Sequence, residues 1–353
     1  MAKRTIALDA FGGDLCPHVE CEAAVLAARA GHDVILVGDR AQLLAQLSIL
    51  GISRFDGEEG IRIHHASEVI TMDDTPSKVV RSKTDASMLV CFDLVRRGEA
   101  AAVVSAGNSG AMLACGLFRF GRLKGVERPA IGTSFPRMGI PPCVLIDMGA
   151  NVECKPIHLV QFAVMGAVVS RTVYGVATPR VGVLSNGSEE GKGTDLTRAV
   201  HRVLAGNPSP AYQFNGYVEG KDFFKDAVDV IVTDGFTGNV ALKVLEGTAT
   251  GLFKFIKAEI MKTARNRLGG LVLRPAFRAL AQQLDPEAHG GAPLLGVDGV
   301  AIICHGGASP GAIAAAIRIA DDYAARDLTP ALRAAIAEHR ELFAAAKREE
   351  PAV

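Results

Sequence analysis

The sequence TIALDAFGGD at positions 5–14 joins a short apolar strand directly to an acidic, glycine-rich turn. Asp9 stands where the strand ends, and Gly12 and Gly13 follow it. Glycine lets the backbone come close to a ligand or to another loop, because it has no Cβ. A strand that runs into such a turn is typical of open α/β sheets, which bind ligands beyond the carboxyl ends of their strands.

The same arrangement recurs further along the chain. Strand-to-glycine turns read SAGNSG at 105–110, DMGAN at 147–151, SEEGKG at 188–193 and DGFTGN at 234–239. In an open parallel sheet we expect these turns to gather along one edge, where backbone amides and helix N-termini favour an anionic ligand. The turns therefore predict an enzyme with an anion site at that edge.

Size and composition exclude several classes of protein. A chain of 353 residues can bury a large core, either as one α/β unit or as two lobes. Its 38 basic and 38 acidic residues argue against general nucleic-acid binding, which needs a positive excess. Seven cysteines without a C-x-x-C pair predict reduced thiols, and we expect no metal and no cofactor. Because no apolar stretch reaches spanning length, we predict a cytoplasmic protein.

Short apolar runs alternate with longer helical patterns along most of the chain. This alternation predicts a three-layer, Rossmann-like α/β fold with a mostly parallel sheet. The predicted strands are 5–9, 34–37, 61–65, 102–105, 144–147, 180–184, 228–233 and 300–304, and the predicted helices are 17–30, 85–96, 156–173, 195–204 and 310–325. We expect a single α/β domain over 1–345 and a disordered tail at 346–353.

One segment departs from this alternation. Between 252 and 284 apolar residues are interleaved with lysines and arginines, and Glu259 is the only acidic residue in that stretch of sequence. The pattern predicts an amphipathic, basic helical hairpin at 248–284, divided by Gly269-Gly270 and by Pro275.

Two familiar nucleotide-binding motifs are not satisfied. The stretch 187–194 resembles a P-loop, but only three residues separate Gly187 from Gly191, and Gly193 stands where Ser or Thr should bind magnesium. The dinucleotide fingerprint fails both there and at 107–110, because its glycine spacing is absent. ATP and NAD are therefore disfavoured as ligands.

Single residues in the turns leave two interpretations open. Lys192 can contact a ligand or be a solvated loop charge. His305 follows the strand 300–304 and can be catalytic or only a turn residue. The same choice holds for Asn108, Asn151 and Asn239, which are either ligand contacts or turn formers. Since no cysteine has the neighbours of an activated nucleophile, an acyl-cysteine mechanism is the minor interpretation.

Eight short stretches, taken together, resemble the bacterial PlsX family of acyl-carrier-protein:phosphate acyltransferases over nearly the whole chain. They read IALDAFGGD (6–14), DTPSK (74–78), SAGNSGA (105–111), GANVECKP (149–156), LVQFAVMG (159–166), EEGKG (189–193), DGFTGNV (234–240) and GGAPLLG (290–296). The chain departs from the family at Phe11, Ser109 and His289, where Met, Thr and Tyr are usual. Ile303-Cys304 also replaces more polar residues ahead of His305.

The resemblance implies transfer of a long-chain fatty acyl group from the thioester of acyl carrier protein to inorganic phosphate. The product would be an acyl phosphate, used by a downstream glycerol-phosphate acyltransferase in phospholipid synthesis. The resemblance also implies a homodimer with a fold similar to phosphate acetyltransferases and isocitrate-type dehydrogenases. The alternatives are a short-chain acyl-CoA phosphate acyltransferase, a hydroxy-acid dehydrogenase, and a non-catalytic, membrane-associated scaffold that binds acyl carrier protein.

This chemistry assigns roles to the turn residues. Because phosphate is itself the nucleophile, the protein must hold a dianion and stabilise an oxyanion. The predicted catalytic residues are Lys192 for phosphate charge, Asn239 for a hydrogen bond to phosphate or to the thioester oxygen, Asp234 for orienting Lys192 or a proton, and His305 for protonating the leaving thiolate. The predicted phosphate- and acyl-binding residues are Asp9, Gly12, Gly13, Gly107, Asn108, Ser109, Gly110, Asn151, Gly238 and Gly291.

The basic hairpin has three interpretations. It can pack a dimer, dock the acidic carrier protein, or contact a membrane surface through 252–284. We expect it to pack the dimer at its base and to present a basic, apolar tip outward.

Overall fold

The computed structural model describes residues 4–53, 59–189, 191–284 and 290–349. In this part of the chain eleven strands form one sheet, in the order β3-β2-β1-β4-β11-β10-β5-β6-β9-β7-β8. The strands are β1 (Thr5–Asp9), β2 (Asp33–Gly38), β3 (Ile61–His65), β4 (Ala102–Ser105), β5 (Ala130–Phe135), β6 (Cys143–Ile146), β7 (Arg180–Leu184), β8 (Gln213–Val218), β9 (Val230–Val232), β10 (Ala292–Leu295) and β11 (Val300–Ile303). Most neighbouring strands pair in parallel, which confirms the predicted α/β class.

Helices pack on both faces of the sheet. They are α1 (His18–Arg29), α2 (Arg40–Ile49), α3 (Pro76–Ser82), α4 (Ser87–Arg96), α5 (Ser109–Arg119), α6 (Pro156–Tyr174), α7 (Asp195–Gly206), α8 (Gly235–Met261), α9 (Ala264–Leu284), α10 (Pro310–Ala325), α11 (Leu328–Glu338) and α12 (Arg340–Arg348). Strand side chains alternate between faces, so Ile6 and Leu8 join the core under α1 and α10, while Ala7 joins the core under α4 and α5. All three residues are fully buried, as expected in a sheet that is covered on both faces.

The strand direction reverses in the middle of the sheet. β10 is antiparallel to both β11 and β5, and β5 is antiparallel to β6. As a result β6, β9, β7 and β8 run opposite to β1, β2, β3, β4 and β11. The prediction that all the glycine turns lie along one edge is therefore wrong, because the turns after β1 and β4 end at one edge and those after β6, β7 and β9 at the other.

The two groups of turns still come close to each other. β6, β10 and β11 have four residues each, so each spans only about 13 Å at 3.3 Å per residue. Turns from both blocks can therefore reach over the short antiparallel strands between them. One sheet runs through both blocks. The single domain over 1–345 stays a prediction.

The hairpin forms, but its turn differs from the predicted one. α8 and α9 pack against each other, and Lys262 and Thr263 separate them. The hydroxyl of Thr263 accepts a hydrogen bond from the amide of Asn266 (3.1 Å), which caps the start of α9. Gly269-Gly270 and Pro275 consequently lie within α9 and do not divide the hairpin.

Two further observations concern α12 and α6. The predicted tail at 346–353 is wrong in its first part, because α12 continues to Arg348 and packs on α6 and α7, with Ala346 fully buried. Residues 350–353 lie outside the described part. By length and composition α6 could cross a membrane, but 83% of its apolar window is buried inside the protein.

Candidate active site

A cavity of about 700 Å³ lies over the middle of the sheet. Its floor is formed by β5, β10 and the end of β11, and its walls by α8 and by the first turns of α5 and α10. Polar groups of the lining belong to Ser109, Gly149, Asn239, Gly291 and His305. Much of the remaining lining is apolar, with Ile131, Met148, Leu242, Phe253, Ala292, Ile303 and Ala312. This shape suits a ligand with a small polar head and an apolar tail.

Gly149 and Asn239 lie close together in this lining. Gly149 has φ +137°, a conformation that side chains rarely adopt, and a Cβ there would lie 3.1 Å from Nδ2 of Asn239. The absence of a side chain on Gly149 thus lets the Asn239 amide lie against the backbone of the turn after β6. Asn239 sits in the first turn of α8, where its amide can donate a hydrogen bond into the cavity.

His305 faces the same cavity from the other block of strands. Its Nδ1 accepts a hydrogen bond from the amide of Gly307 (3.1 Å). A neutral imidazole that accepts at Nδ1 carries its proton on Nε2. His305 is exposed and can therefore donate a hydrogen bond from Nε2–H to a group in the cavity. The adjacent Cys304 also lines the cavity but is only 6% exposed.

One face of α8 was missed by the sequence reasoning. Asn239, Leu242, Lys243, Glu246, Ala249, Thr250 and Phe253 all line the cavity. Their spacing of three and four residues places them along one side of a helix. Lys243 and Glu246 pair there, with Nζ 2.9 Å from Oε2. The signal was present in the sequence, but the predicted turn ended at 239, the predicted hairpin began at 248, and no helix was predicted between them.

Asp9 lies beneath the cavity and does not line it. It is 1% exposed and accepts hydrogen bonds from the hydroxyls of Ser87 (2.6 Å) and Ser105 (2.7 Å) and from the amide of Phe11 (3.3 Å). Burial raises the pKa of Asp9, and these three hydrogen bonds oppose the rise. Its carboxyl group therefore ties the β1 turn to β4 and α4.

Several predicted binding glycines lie where loops touch. A Cβ on Gly12 would be 2.8 Å from the amide nitrogen of Gly107, and one on Gly238 would be 1.9 Å from the carbonyl oxygen of Asp147. These close approaches explain glycine at both positions without any ligand. Three others are packed in the same way, Gly13 against Glu20, Gly107 against Met88 and Gly110 against Pro76.

Three polar candidates use their side chains to hold turns and neighbouring loops in place. Asn108 caps α5 through the amide of Ala111 (3.1 Å). Asn151 is buried and donates to Oδ2 of Asp147 (2.8 Å) and to the carbonyl of Pro129 (2.7 Å). Asp234 caps α8 by accepting from the amide of Thr237 (2.8 Å). In this arrangement each of them shapes a turn, and their predicted contacts with substrate stay predictions.

Lys192 lies outside the cavity lining. It is exposed in the turn after β7, where its amide donates to the carbonyl of Glu189 (3.0 Å). Because β7 and β9 are parallel neighbours, this turn shares an edge of the sheet with the turn that leads to Asn239. The structure thus brings together Ser109, Asn239, Gly291 and His305, while Lys192 stands apart on the same edge as Asn239.

Solved structures with a similar fold include a phosphotransacetylase and a dehydrogenase. The phosphotransacetylase of Streptococcus pyogenes superposes with a TM-score of 0.62 at 17% identity, covering 92% of this chain and 94% of that one. The 4-hydroxythreonine-4-phosphate dehydrogenase of Klebsiella pneumoniae gives 0.55 at 15% identity, covering 92% and 98%. The predicted likeness to phosphate acetyltransferases is confirmed at the level of the fold.

The sequence itself defines the family more closely. The profile of the family described as Fatty acid synthesis protein matches residues 4–330. A phosphate acyltransferase of Geobacter sulfurreducens is 50% identical over 319 residues, covering 90% of each chain, and one of Geotalea uraniireducens is 48% identical over 339 residues, covering 96% of each. The chain belongs to this family of fatty acid synthesis proteins and is an acyltransferase, as the resemblance predicted.

Proposed function

We propose that the protein transfers a long-chain fatty acyl group from the thioester of acyl carrier protein to inorganic phosphate. The acyl phosphate formed would serve phospholipid synthesis through a glycerol-phosphate acyltransferase. The observation that carries this proposal is that Asn239 and His305 line the same cavity, whose lining is otherwise mostly apolar. The names of the relatives support phosphate as the acceptor.

The polar groups of the cavity suit direct attack by phosphate. A phosphate oxygen forms a bond to the thioester carbon, and negative charge develops on the carbonyl oxygen. The Asn239 amide beside Gly149 can stabilise that charge. The carbon–sulfur bond then breaks. The Nε2–H of His305 donates a hydrogen bond to the leaving sulfur, and the sulfur takes up the proton that the attacking hydrogen phosphate carried. No acyl-enzyme forms in this route.

The apolar groove favours a long acyl chain over an acetyl group. The lining residues of α8 extend from Asn239 to Phe253, fourteen residues or about 21 Å at 1.5 Å per residue. Burying each methylene of the chain along this face contributes about 0.8 kcal/mol. A short-chain acyl-CoA substrate would leave most of the groove empty.

The two other catalytic candidates have different parts in this proposal. Lys192 is proposed to bring its charge to the phosphate from the neighbouring turn, since its flexible side chain starts at the same sheet edge as Asn239. Asp234 caps α8 and would act through it, by fixing the first turn that carries Asn239.

The hairpin of α8 and α9 is proposed to contact a second copy of the protein and a membrane surface. Phe255, Leu271 and Val272 are 78%, 64% and 74% exposed, beside exposed lysines and arginines. We propose that the base of the hairpin packs a homodimer and that its tip contacts an anionic membrane surface, because apolar side chains flanked by basic ones suit that surface. The basic face also suits the acidic carrier protein.

The proposal is tested by incubating the protein with long-chain acyl carrier protein, with and without phosphate, in the absence of nucleotide. We expect loss of the thioester that depends on phosphate. Turnover that ignores phosphate, or that requires NAD or ATP, would contradict the proposal. Binding of acyl carrier protein without turnover would favour the scaffold, and a preference for short acyl-CoA would favour the other acyltransferase.

A further inference from the structure

A second cavity, of about 640 Å³, lies where the loop 122–128 faces the first turn of α6 and the end of α12. Its lining shares no residue with the candidate active site. Cationic side chains reach it from three separate parts of the chain, Arg122 and Arg128 from the loop, Lys155 from the start of α6, and Lys347 from α12. Lys155 itself has no task in the proposed reaction.

The lining of this cavity has more cationic side chains than carboxylates. Glu127 is the one carboxylate among the described lining residues, so four cationic side chains face a single negative charge. Lys347 lies 2.6 Å from Oε1 of Glu127, and Nε2 of His158 lies 3.6 Å from Oε2. Burial pushes the pKa of Glu127 upward, but the hydrogen bond from Lys347 and the charges of Lys347, His158 and Lys155 hold it below its ordinary value. Glu127 is therefore ionised, and the cationic side chains of the lining outnumber it.

Arg122 and Arg128 carry positive charge that no carboxylate of the described residues neutralises. Arg122 donates to the backbone carbonyl of Glu127 (2.5 Å), which leaves its charge without a carboxylate. Within the described ranges no carboxylate lies within 4.0 Å of the guanidinium group of Arg122 or Arg128. A guanidinium group has several donors in a fixed fork, which matches the oxygens of a phosphate group.

The walls of this cavity are fixed in place by buried amide side chains. Gln161 of α6 is 1% exposed, and its Oε1 accepts from the amide of Glu127 (2.9 Å) while its Nε2 donates to the carbonyl of Gly125 (2.7 Å). Asn151 holds the carbonyl of Pro129 from the other end of the loop (2.7 Å). The loop that carries Arg122 and Arg128 is thus pre-organised, which lowers the ordering cost of binding.

We propose that this cavity binds a small, multiply charged phosphate compound, such as a phosphate ester or a diphosphate. Its volume falls in the range of small-molecule sites. The cationic side chains converge on a concave space from separate elements, whereas a surface that docks an acidic protein spreads its charges over a broader, flatter area. The positive end of α6, a helix of 19 residues, adds to the attraction for an anion.

The test is calorimetric titration of the whole protein with inorganic pyrophosphate at low ionic strength, without acyl donor. We expect Arg128→Ala to weaken binding about tenfold or more, because a hydrogen bond to a charged group is lost. Lys124→Ala is the matched control, since Lys124 lies in the same loop but outside the lining, and it should leave binding unchanged. Asn239→Ala should also leave it unchanged, which separates this cavity from the candidate active site.

Four results would overturn the inference. They are no binding by the wild-type protein at low salt, equal weakening by Arg128→Ala and Lys124→Ala, loss of binding in Asn239→Ala, and weaker binding of acyl carrier protein in Arg128→Ala with pyrophosphate binding intact. The last result would identify a protein-docking surface. Because no acyl transfer is measured, failure here is distinguishable from failure of the proposed function.

Discussion

Replacing Glu20 with glutamine is expected to stabilise the protein above neutral pH. Glu20 lies on α1 and is 1% exposed. Its Oε1 accepts from the amide of Gly13 (3.2 Å), and Oε2 has no hydrogen-bond partner within the described residues. Burial, reinforced by the charges of Asp9 and Asp14, raises the pKa of Glu20 from its ordinary 4.5 to about 7.

The direction and size of the effect follow from these two pKa values. Below pH 4.5 the carboxyl group is protonated in both the folded and the unfolded chain, so it has no pH-dependent cost. As pH rises from there to about 7, the unfolded chain releases the proton and the folded protein keeps it, so the free energy of unfolding falls. At 1.36 kcal/mol for each pH unit between the two values, the full loss is about 3 kcal/mol.

Urea unfolding of the wild type and of Glu20→Gln, at about pH 4 and about pH 8, measures this difference. Glutamine keeps the acceptor for the Gly13 amide and never ionises. The two proteins should match at the lower pH, and Glu20→Gln should be about 3 kcal/mol more stable at the higher one. Glu22→Gln, on the more exposed side of α1, is the control and should show no such gain. Equal stability of wild type and Glu20→Gln at the higher pH would refute the reasoning.

Three further predictions concern the cavity and the hairpin. Asn239→Ala should lower turnover about a hundredfold, the scale of one lost transition-state donor. Lys192→Ala should do the same, because its side chain is proposed to reach phosphate. Near wild-type turnover in Lys192→Ala would show that its loop is only solvated surface. Phe253→Ala should shift the preference toward longer acyl chains, about fourfold per added methylene, and the exposed Phe255→Ala should not; identical chain-length profiles would remove Phe253 from the groove. Leu271→Glu should weaken sedimentation with anionic liposomes while soluble acyl transfer continues. The membrane proposal is contradicted if the wild-type protein does not sediment with liposomes at low salt, or if the variant only dissociates the dimer.

The sequence was most informative where one pattern repeats along the chain. Strands 5–9, 61–65, 102–105 and 180–184 agree with the structure at both ends, as does the helix 310–325. Apolar runs do not reveal strand direction, so the reversal through β5 and β10 could not be predicted. Neither strand was predicted as an element. β10 has only four residues and follows the glycines at 290–291, whereas the six residues of β5 were left unassigned.

The site was predictable only in part, for a related reason. Asn239 and His305 were found because each follows a strand, and position after a strand is visible in sequence. The packing of Gly238 against Asp147 was not visible, since the two residues are far apart in the chain and meet only in the fold. Glycine turns that contact other loops and glycine turns that contact a ligand look alike in sequence.

The most direct test of acyl transfer to phosphate follows labelled phosphate into the product. Wild-type protein is mixed with long-chain acyl carrier protein and radiolabelled phosphate, and the product and the protein are both examined. Direct attack predicts one labelled acyl phosphate for each thioester lost and no acyl group on the protein. Thioester loss without label in the acyl product, or a stoichiometric acyl-protein that disappears in Cys304→Ala, would contradict it.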